Sequence, residues 1–147
     1  MRTSIVLYMI LWCLLFVPLC APLFAQALAN KDVKSLVAKI EEGFGLGNAH
    51  TLSEWLAPRV AITIDGRTQN YTKKQTQAVL KAFFDKEAPV EFSTIHYGGV
   101  QKDLLSYYIA RYVTATKTYS LYILLKPLRS GAYKIHKMDI SSEGVND

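Results

Sequence analysis

The second half of the sequence, after Pro89, consists almost entirely of strand-forming segments joined by very short connections. These segments, rich in β-branched and aromatic residues, cover positions 90–98, 104–116, 118–126 and 132–140. Strands that pair in parallel need a crossover of about a dozen residues or more, whereas antiparallel strands need only a turn. The connections here are too short for crossovers. The four segments are therefore predicted to pair mainly as antiparallel neighbours in one curved sheet.

The segment 118–126 indicates how the two faces of this sheet differ, because successive side chains of a strand point to opposite faces. One face would carry Tyr119, Leu121, Ile123 and Leu125, and the other Ser120, Tyr122, Leu124 and Lys126. We expect the first face to cover the core and the second to be mixed. Tyr122 on the mixed face is the candidate contact of a homodimer, since tyrosine is favoured where surface is buried beside water.

Helical periodicity precedes these strands. Apolar residues recur at helical spacing at Leu36, Val37, Ile40 and Phe44. A second, short helical turn is predicted around Trp55 and is expected to end at Pro58. A third helix is predicted from Thr72, which stands in capping-box spacing to Gln75. Between them, "VAITIDG" alternates like a strand and ends in an Asp-Gly turn signal, with "TQNY" as the returning strand.

The first 27 residues have the pattern of a cleaved secretory signal peptide. They carry one charge, Arg2, then an apolar run over 5–19, then the small-residue pattern "AQA" at 25–27. A retained membrane anchor is the alternative, but Pro18 and Pro22 end the run before the roughly 20 apolar residues that a span needs. We therefore expect no permanent membrane anchor, and export to the periplasm or the outside of a bacterial cell.

Residues 28–147 are predicted to form a single domain. Both cysteines, Cys13 and Cys20, lie in the predicted signal. The residue before an acylated cysteine should be small, and Leu19 is not, so lipidation is not expected. The remaining chain has no thiol, which excludes disulfides, zinc–thiolate sites and cysteine nucleophiles.

The charge of residues 28–147 is modest and dispersed. Arg2 is the one basic residue in the signal, so 16 basic and 12 acidic residues remain, a net charge of +4. No run of five or six like charges occurs, so we expect no nucleic-acid partner. No phosphate-binding loop, paired-histidine motif or nucleophile elbow is present in the sequence, and we predict no metal and no cofactor.

The order of the predicted elements is helix, helix, strand pair, helix and four antiparallel strands. This order resembles the cone-shaped α+β fold named after nuclear transport factor 2, and the chain resembles a family of uncharacterised exported bacterial domains with that fold. The resemblance rests on "GNAHTLSEWL", "YTKKQTQAVLKAFF", "FSTIHYG", "TYSLYILLK" and "YKIHKMDI". It implies a curved antiparallel sheet wrapped around N-terminal helices. It implies no substrate, since the wider fold includes isomerases, dehydratases, epoxide hydrolases and non-catalytic domains.

The candidate pocket lining comprises Trp55, His96, Tyr108 and Tyr112. Phe92, Thr94 and His96 would alternate onto one face of their strand, as Tyr108 and Tyr112 would on the next. An isomerase of this fold needs a buried carboxylate base, and the strand carboxylates do not offer one. His96 is the residual acid or base candidate, but cross-strand packing with one nitrogen hydrogen-bonded explains it better. We assign no catalytic residue.

The sequence thus favours an exported, non-catalytic binding domain. A small apolar ligand or a protein partner would lie in the cone or on the exposed sheet face. Two alternatives stay open at this point: a small isomerase or hydrolase that acts in the cone with His96 as acid or base, and a purely structural dimerisation module.

The signal assignment predicts a defined mature N-terminus. The protein recovered from the exported fraction should begin between residues 26 and 30, because cleavage after Ala25 or Ala27 leaves the small residues of the signal at the scissile bond. N-terminal sequencing measures this directly. An intact N-terminus retained in the membrane fraction would contradict the prediction.

Overall fold

The elements that the sequence predicts are present in the computed structural model, which describes residues 21–100 and 105–144, with side chains over 33–99 and 106–144. In chain order they are α1 (Ala21–Gly45), α2 (Ala49–Ser53), β1 (Leu56–Ile64), β2 (Arg67–Thr72), α3 (Lys73–Lys86), β3 (Glu91–Val100), β4 (Leu105–Val113), β5 (Thr118–Pro127) and β6 (Tyr133–Ser142). Residues 1–20 of the predicted signal lie outside the described residues. The contacts below belong to the compact unit Asp32–Asp147.

The strands form one open sheet in the order β2-β1-β6-β5-β4-β3. The run β3 to β6 is antiparallel throughout, as the short connections require. The pairing of β1 with β6 is parallel. Parallel strands need a long connection, and here β2, α3 and β3 to β5 lie between the two strands in the chain. The predicted α+β class with helices before a curved sheet is therefore confirmed, with one parallel pairing among the antiparallel ones.

The sheet has register shifts in three places, between Leu56 and Ala61 of β1, between Thr94 and His96 of β3, and beside Leu124 of β5. An extra residue in one strand of a pair bends that strand and increases its twist. These irregularities therefore curve the sheet, so that one face is concave. We call the concave face, which carries Tyr108, the inner face, and the opposite face, which carries Tyr122, the outer face.

The core lies between the inner face and the helices. The buried helical residues include Leu36, Ile40 and Phe44 of α1 and Leu80, Phe83 and Phe84 of α3. The inner face supplies Val60, Ile62, Tyr108, Tyr112, Tyr119, Leu121, Ile123, Ile135, Met138 and Ile140. Apolar residues that recur every 3.6 residues in the helices and every second residue in the strands thus form two facing apolar surfaces, which pack together as one core layer.

The predicted helical turn that ends at Pro58 is wrong in its extent. The helix α2 ends at Ser53, and β1 already begins at Leu56, so that Pro58 lies inside a strand. Proline lacks the N–H that a sheet ladder uses. It is tolerated here because the register of β1 with β6 is interrupted between Leu56 and Ala61 and pairing with β2 begins only at Arg59.

The turn between β1 and β2 matches the Asp-Gly signal. Asp65 and Gly66 have φ values of 44° and 82°, as a two-residue type I′ hairpin requires. The Asp65 carboxylate also accepts a hydrogen bond from the backbone N–H of Ser142, at 2.8 Å, and this bond holds the pKa of Asp65 below its usual value. Asp65 is therefore a structural turn residue that fastens the hairpin to the end of β6.

The capping box of α3 is also confirmed. The Thr72 hydroxyl accepts from the Gln75 N–H, and the Gln75 side chain accepts from the Thr72 N–H at 2.9 Å. Two of the four backbone N–H groups that a helix start leaves unpaired are thereby satisfied.

Among the described residues, no helix is long and apolar enough to cross a membrane.

Replacing Thr72 by alanine should lower the free energy of unfolding by about 1 kcal/mol, the usual effect of losing such a cap. Thr72→Ser, which keeps the hydroxyl, is the matched control and should stay near the wild-type value. Denaturant unfolding of both variants checks this. Equal losses in the two variants would show that the methyl group, and not the cap, is what matters.

Candidate functional site

The inner face, where the sequence places a candidate pocket, is filled by side chains. Tyr108 and Tyr112 are 0% and 1% exposed. The Tyr112 hydroxyl donates to the backbone carbonyl of Glu87, and the Tyr108 hydroxyl lies 2.7 Å from the Thr94 hydroxyl oxygen. Buried tyrosines usually find a partner for the hydroxyl, and both have one here. These two rings are therefore part of the packed core.

Aromatic rings from the helices surround these tyrosines. Phe44 stacks on Phe92 with ring centroids 5.8 Å apart and meets Phe84 edge to face at 5.3 Å. Phe83 packs against Tyr112 at 5.5 Å. Offset and edge-to-face pairs at such distances are the favoured arrangements of aromatic rings. The helices are thus joined to the inner face through one continuous aromatic cluster.

A groove of about 580 Å³ remains between the C-terminal part of α1 and β3. Its lining consists of Glu41, Glu42, Gly45, Leu46, Phe92 and Thr94. The Thr94 hydroxyl is 2.5 Å from a Glu41 carboxylate oxygen, to which it donates, and it also contacts Tyr108. With its own proton engaged by the carboxylate, Thr94 accepts from the phenol. A chain of hydrogen bonds therefore runs from the exposed Glu41 to the buried Tyr108.

The sequence-based prediction considered only carboxylates on strands and so missed Glu41 of α1 and Glu87, the residue that caps the end of α3. Glu87 is only 8% exposed, and its carboxylate contacts the Thr114 hydroxyl at 3.4 Å and the Lys117 ammonium at 4.0 Å. Helical spacing could have indicated that Glu87 is buried. It follows the buried Phe83 by four residues, so it lies on the same, core-facing side of the helix. These contacts tie the end of α3 to the turn between β4 and β5.

His96 lies on the outer face and not beside Tyr108 and Tyr112. The strict alternation expected for β3 fails between Thr94 and His96, where the register shifts by one residue. A bulge re-aims the side chains that follow it. The imidazole is exposed, with its Nε2 atom 3.1 Å from the hydroxyl oxygen of Tyr107.

Trp55 is separate from the other predicted lining residues. It is half-buried beside β6, where its carbonyl accepts from the Ile135 N–H at 2.8 Å. The ammonium of Lys134 lies 5.7 Å from the centroid of the indole ring, within the range of a cation–π contact. Among the described side chains, no ring contact joins Trp55 to Tyr108 or Tyr112. The four candidates thus occupy three different places.

The outer face has an exposed aromatic and aliphatic centre. Tyr122 is 38% exposed and stacks on Tyr107, with ring centroids 6.5 Å apart and planes 11° from parallel. Half-buried Ile109 and Leu124 complete the centre, since they pair across the strands with Tyr122 and Tyr107. We call these four residues the outer patch. Polar and charged side chains of β4, β5 and β6 border it.

Both signs of charge border the outer patch. Asp139 pairs with Tyr122, and Lys137 pairs with Leu124, both on its β6 side. Arg111 lies toward one end of the outer patch, with its Nε 3.7 Å from the Glu143 carboxylate.

Within residues 21–100 and 105–144, no group of three or more histidine, cysteine or carboxylate side chains is placed to hold a metal ion.

The buried tyrosines are not acid–base groups at neutral pH. Burial raises the pKa of Tyr108 and of Tyr119 to about 12 in each case. Burial also raises the pKa of Tyr112 strongly, and the nearby Glu87 carboxylate adds to this. Each phenol therefore remains protonated at neutral pH, and the hydroxyls of Tyr108 and Tyr112 donate hydrogen bonds to Thr94 and Glu87. The pKa of His136, by contrast, is lowered by burial and then by the positive charge of Lys126.

Solved structures with the same architecture include an NTF2-like protein of unknown function from Silicibacter pomeroyi. It is 12% identical to this chain, covers 80% of it and 98% of its own length, and superposes with a TM-score of 0.58. Together with the open curved sheet and the helices on its inner face, this likeness shows that the protein has the nuclear transport factor 2-like α+β fold.

Two solved proteins of one family are more similar. A protein from Bacteroides ovatus is 24% identical, covering 73% of this chain and 94% of its own, with a TM-score of 0.68; one from Bacteroides uniformis is 20% identical, covering 73% and 96%, with a TM-score of 0.68. Both are described as DUF4783 family proteins. The matched region makes up almost the whole of each of these two solved chains. A search of curated proteins found no significant match.

The sequence profile of the family described as "Domain of unknown function (DUF4783)" matches residues 37–141. The chain therefore belongs to this family, as the resemblance to uncharacterised bacterial domains implied. The family description names no activity, so the function has to be argued from the surfaces of the domain.

The raised tyrosine pKa values predict a loss of stability at high pH. A group whose pKa is higher in the folded state binds its proton more tightly there, so its stabilising contribution is complete below the unfolded value of 10 and is lost as the pH rises toward about 12. The denaturant midpoint should be steady up to about pH 9 and fall above it. Phenolate absorbance that reaches its full value while the protein stays folded would contradict this.

Proposed function

We propose that the protein is an exported, non-catalytic binding domain that acts through the outer face of its sheet, and that a second copy of the chain is the partner. The observation that carries this proposal is the exposed outer patch around the stacked pair Tyr107 and Tyr122. Stacked, partly exposed tyrosines are favoured where protein surfaces meet, because each ring buries much apolar area at a small loss of side-chain entropy.

The distribution of packing supports the outer face over the cone. The inner face is occupied by its own aromatic core, including the fully buried Tyr108. The groove beside Glu41 is bordered by two carboxylates, Glu41 and Glu42, which disfavour a small apolar ligand. An apolar ligand in the cone is thus the weaker of the two binding alternatives.

The size of the outer face suits a second copy. Six strands spaced about 4.8 Å apart and about nine residues long span roughly 29 by 30 Å, or roughly 870 Å². A stable dimer interface of standard size buries about 800 Å² on each partner. The face therefore offers enough area for an isologous contact, in which the same patch is used by both copies.

Charge also supports a self-complementary contact. Lys137 and Asp139 carry opposite charges on the same side of the outer patch. In an isologous pairing the residue sets of the two copies face one another, so a face that carries both signs can place cations of one copy near carboxylates of the other. A face of one sign would repel its own copy.

The alternative function, an isomerase or hydrolase acting in the cone, depends on His96 as acid or base, and His96 does not lie in the cone. A general base must be within hydrogen-bond reach of a substrate in the cone. His96 is exposed on the outer face, and its Nε2 atom is engaged with the Tyr107 hydroxyl. Its position fits a structural role within the aromatic centre of the sheet.

The proposal that the protein is exported rests on the N-terminal sequence pattern alone.

The test is the oligomeric state of residues 28–147, carrying Tyr122→Glu. The substitution places a charge in the centre of the proposed interface, where an unpaired buried charge is costly, so the variant should be monomeric at micromolar concentration while the wild type is a dimer. Analytical ultracentrifugation measures both. Thermal unfolding of the isolated variant should remain cooperative, since Tyr122 contributes little to the core.

Tyr97→Glu is the matched control. Tyr97 is 40% exposed, close to the value for Tyr122, but it pairs with Tyr108 and so stands on the inner side of the edge strand β3. This variant should keep the dimer. A monomeric wild type, or equal dissociation by both substitutions, would remove the proposal.

A further inference from the structure

The turn between β5 and β6 presents an exposed leucine on a rigid support. The Leu128 N–H donates to the Ala132 carbonyl at 2.7 Å, and the Gly131 N–H donates to the Leu128 carbonyl at 2.9 Å. Gly131 has a φ of 87°, which few other residues adopt at low cost. Leu128 is 40% exposed, and residues 128–131 are all exposed. We call residues 126–134 the hairpin tip.

Basic side chains surround this leucine. Lys126 and Arg129 are exposed, and Lys134 stands directly opposite Lys126 across the two strands. Like charges in directly opposed positions destabilise a sheet. Lys134 is partly accommodated by the Glu54 carbonyl and the Trp55 ring, and an anionic partner would relieve the repulsion that remains.

The register shift of β6 places a histidine near the hairpin tip. Leu124 pairs with Lys137 and Leu125 pairs with Ile135, so His136 is the extra residue of the bulge. Burial, and then the positive charge of Lys126, lower the pKa of His136, so its imidazole is neutral near pH 7. The positive charge of the hairpin tip therefore comes from Lys126, Arg129 and Lys134.

These cations have no acidic partner in the described part of the chain. The ion pairs within 4.0 Å there involve Lys39, Lys81, Arg111 and Lys117. Lys134 instead donates to the backbone carbonyl of Glu54 and lies over the ring of Trp55. The Trp55 ring adds an aromatic, amphipathic group to the base of the hairpin tip.

We propose that the hairpin tip binds the surface of an anionic phospholipid bilayer. Leu128 would enter the boundary between headgroups and acyl chains, while Lys126 and Arg129 contact headgroup phosphates. Lys134, held against the Glu54 carbonyl and the Trp55 ring, adds to the positive potential of the hairpin tip. An apolar residue at the apex with cations behind it is the arrangement that peripheral binding needs, since apolar burial and attraction to anionic lipids act together.

The contact is reversible and depends on salt. Each cation close to an anionic leaflet strengthens binding about fivefold, and this attraction is screened within about 10 Å at 0.1 M salt. Loss of two cations should therefore weaken binding roughly 25-fold. The proposal concerns a surface other than the outer patch and does not depend on dimer formation.

The experiment is co-sedimentation of residues 28–147 with vesicles of phosphatidylcholine containing about one-third phosphatidylglycerol, at about 0.1 M salt. These residues are the predicted mature chain, and omitting the N-terminal segment removes its own apolar run from the measurement. Cooperative thermal unfolding of residues 28–147 is checked first. The wild type should bind these vesicles and leave vesicles of pure phosphatidylcholine unbound. Lys126→Gln with Arg129→Gln should weaken binding roughly 25-fold.

Two further variants keep the result specific. Leu128→Ser leaves the charge unchanged and should still weaken binding at least severalfold, which distinguishes bilayer contact from simple capture of phosphate. Lys73→Gln with Lys74→Gln removes two exposed cations from the start of α3 and should bind like the wild type. Equal loss in both double variants, equal binding to neutral vesicles, an unchanged affinity of Leu128→Ser, or no sedimentation of the wild type would each overturn the proposal.

Discussion

The packing of aromatic rings between the helices and the inner face of the sheet is the interaction on which the rest of the structure depends. Phe44 and Phe83 approach from the two helices, and Tyr112 meets both from the sheet. Large rings bury much apolar surface, and the two deepest phenols also have hydrogen-bond partners, Thr94 and Glu87. Because this cluster occupies the concave side, the two surfaces proposed for contact with partners lie on the outer face and at one end of the sheet.

Bulges decide what those outer surfaces carry. The register shift after Thr94 moves His96 to the face that carries Tyr107, and the shift in β6 inserts His136 beside Lys126. In both places one extra residue re-aims a polar side chain without disturbing the apolar side of the strand. The same irregularities that curve the sheet around its core therefore also arrange its exposed polar groups.

The two proposed surfaces are compatible in one assembly. The outer patch around Tyr122 lies at the centre of the sheet, whereas the turn at Leu128 lies beyond the paired part of β5 and β6. Association through the patch would leave each turn exposed. A dimer would then present two cationic turns, and its avidity for a surface would exceed that of one copy wherever both turns reach the surface together.

The sequence by itself determined the elements, the Asp65–Gly66 turn, the capping box at Thr72 and the antiparallel order of the last four strands, because these follow from local spacing and short connections. The extent of β1 around Pro58 and the side of the sheet on which His96 lies were decided only by the tertiary structure. Alternation in the sequence assumes an unbroken register, and one bulged residue reverses every face that follows it. Glu41 meeting Thr94 likewise joins residues far apart in the chain, and only packing brings them together.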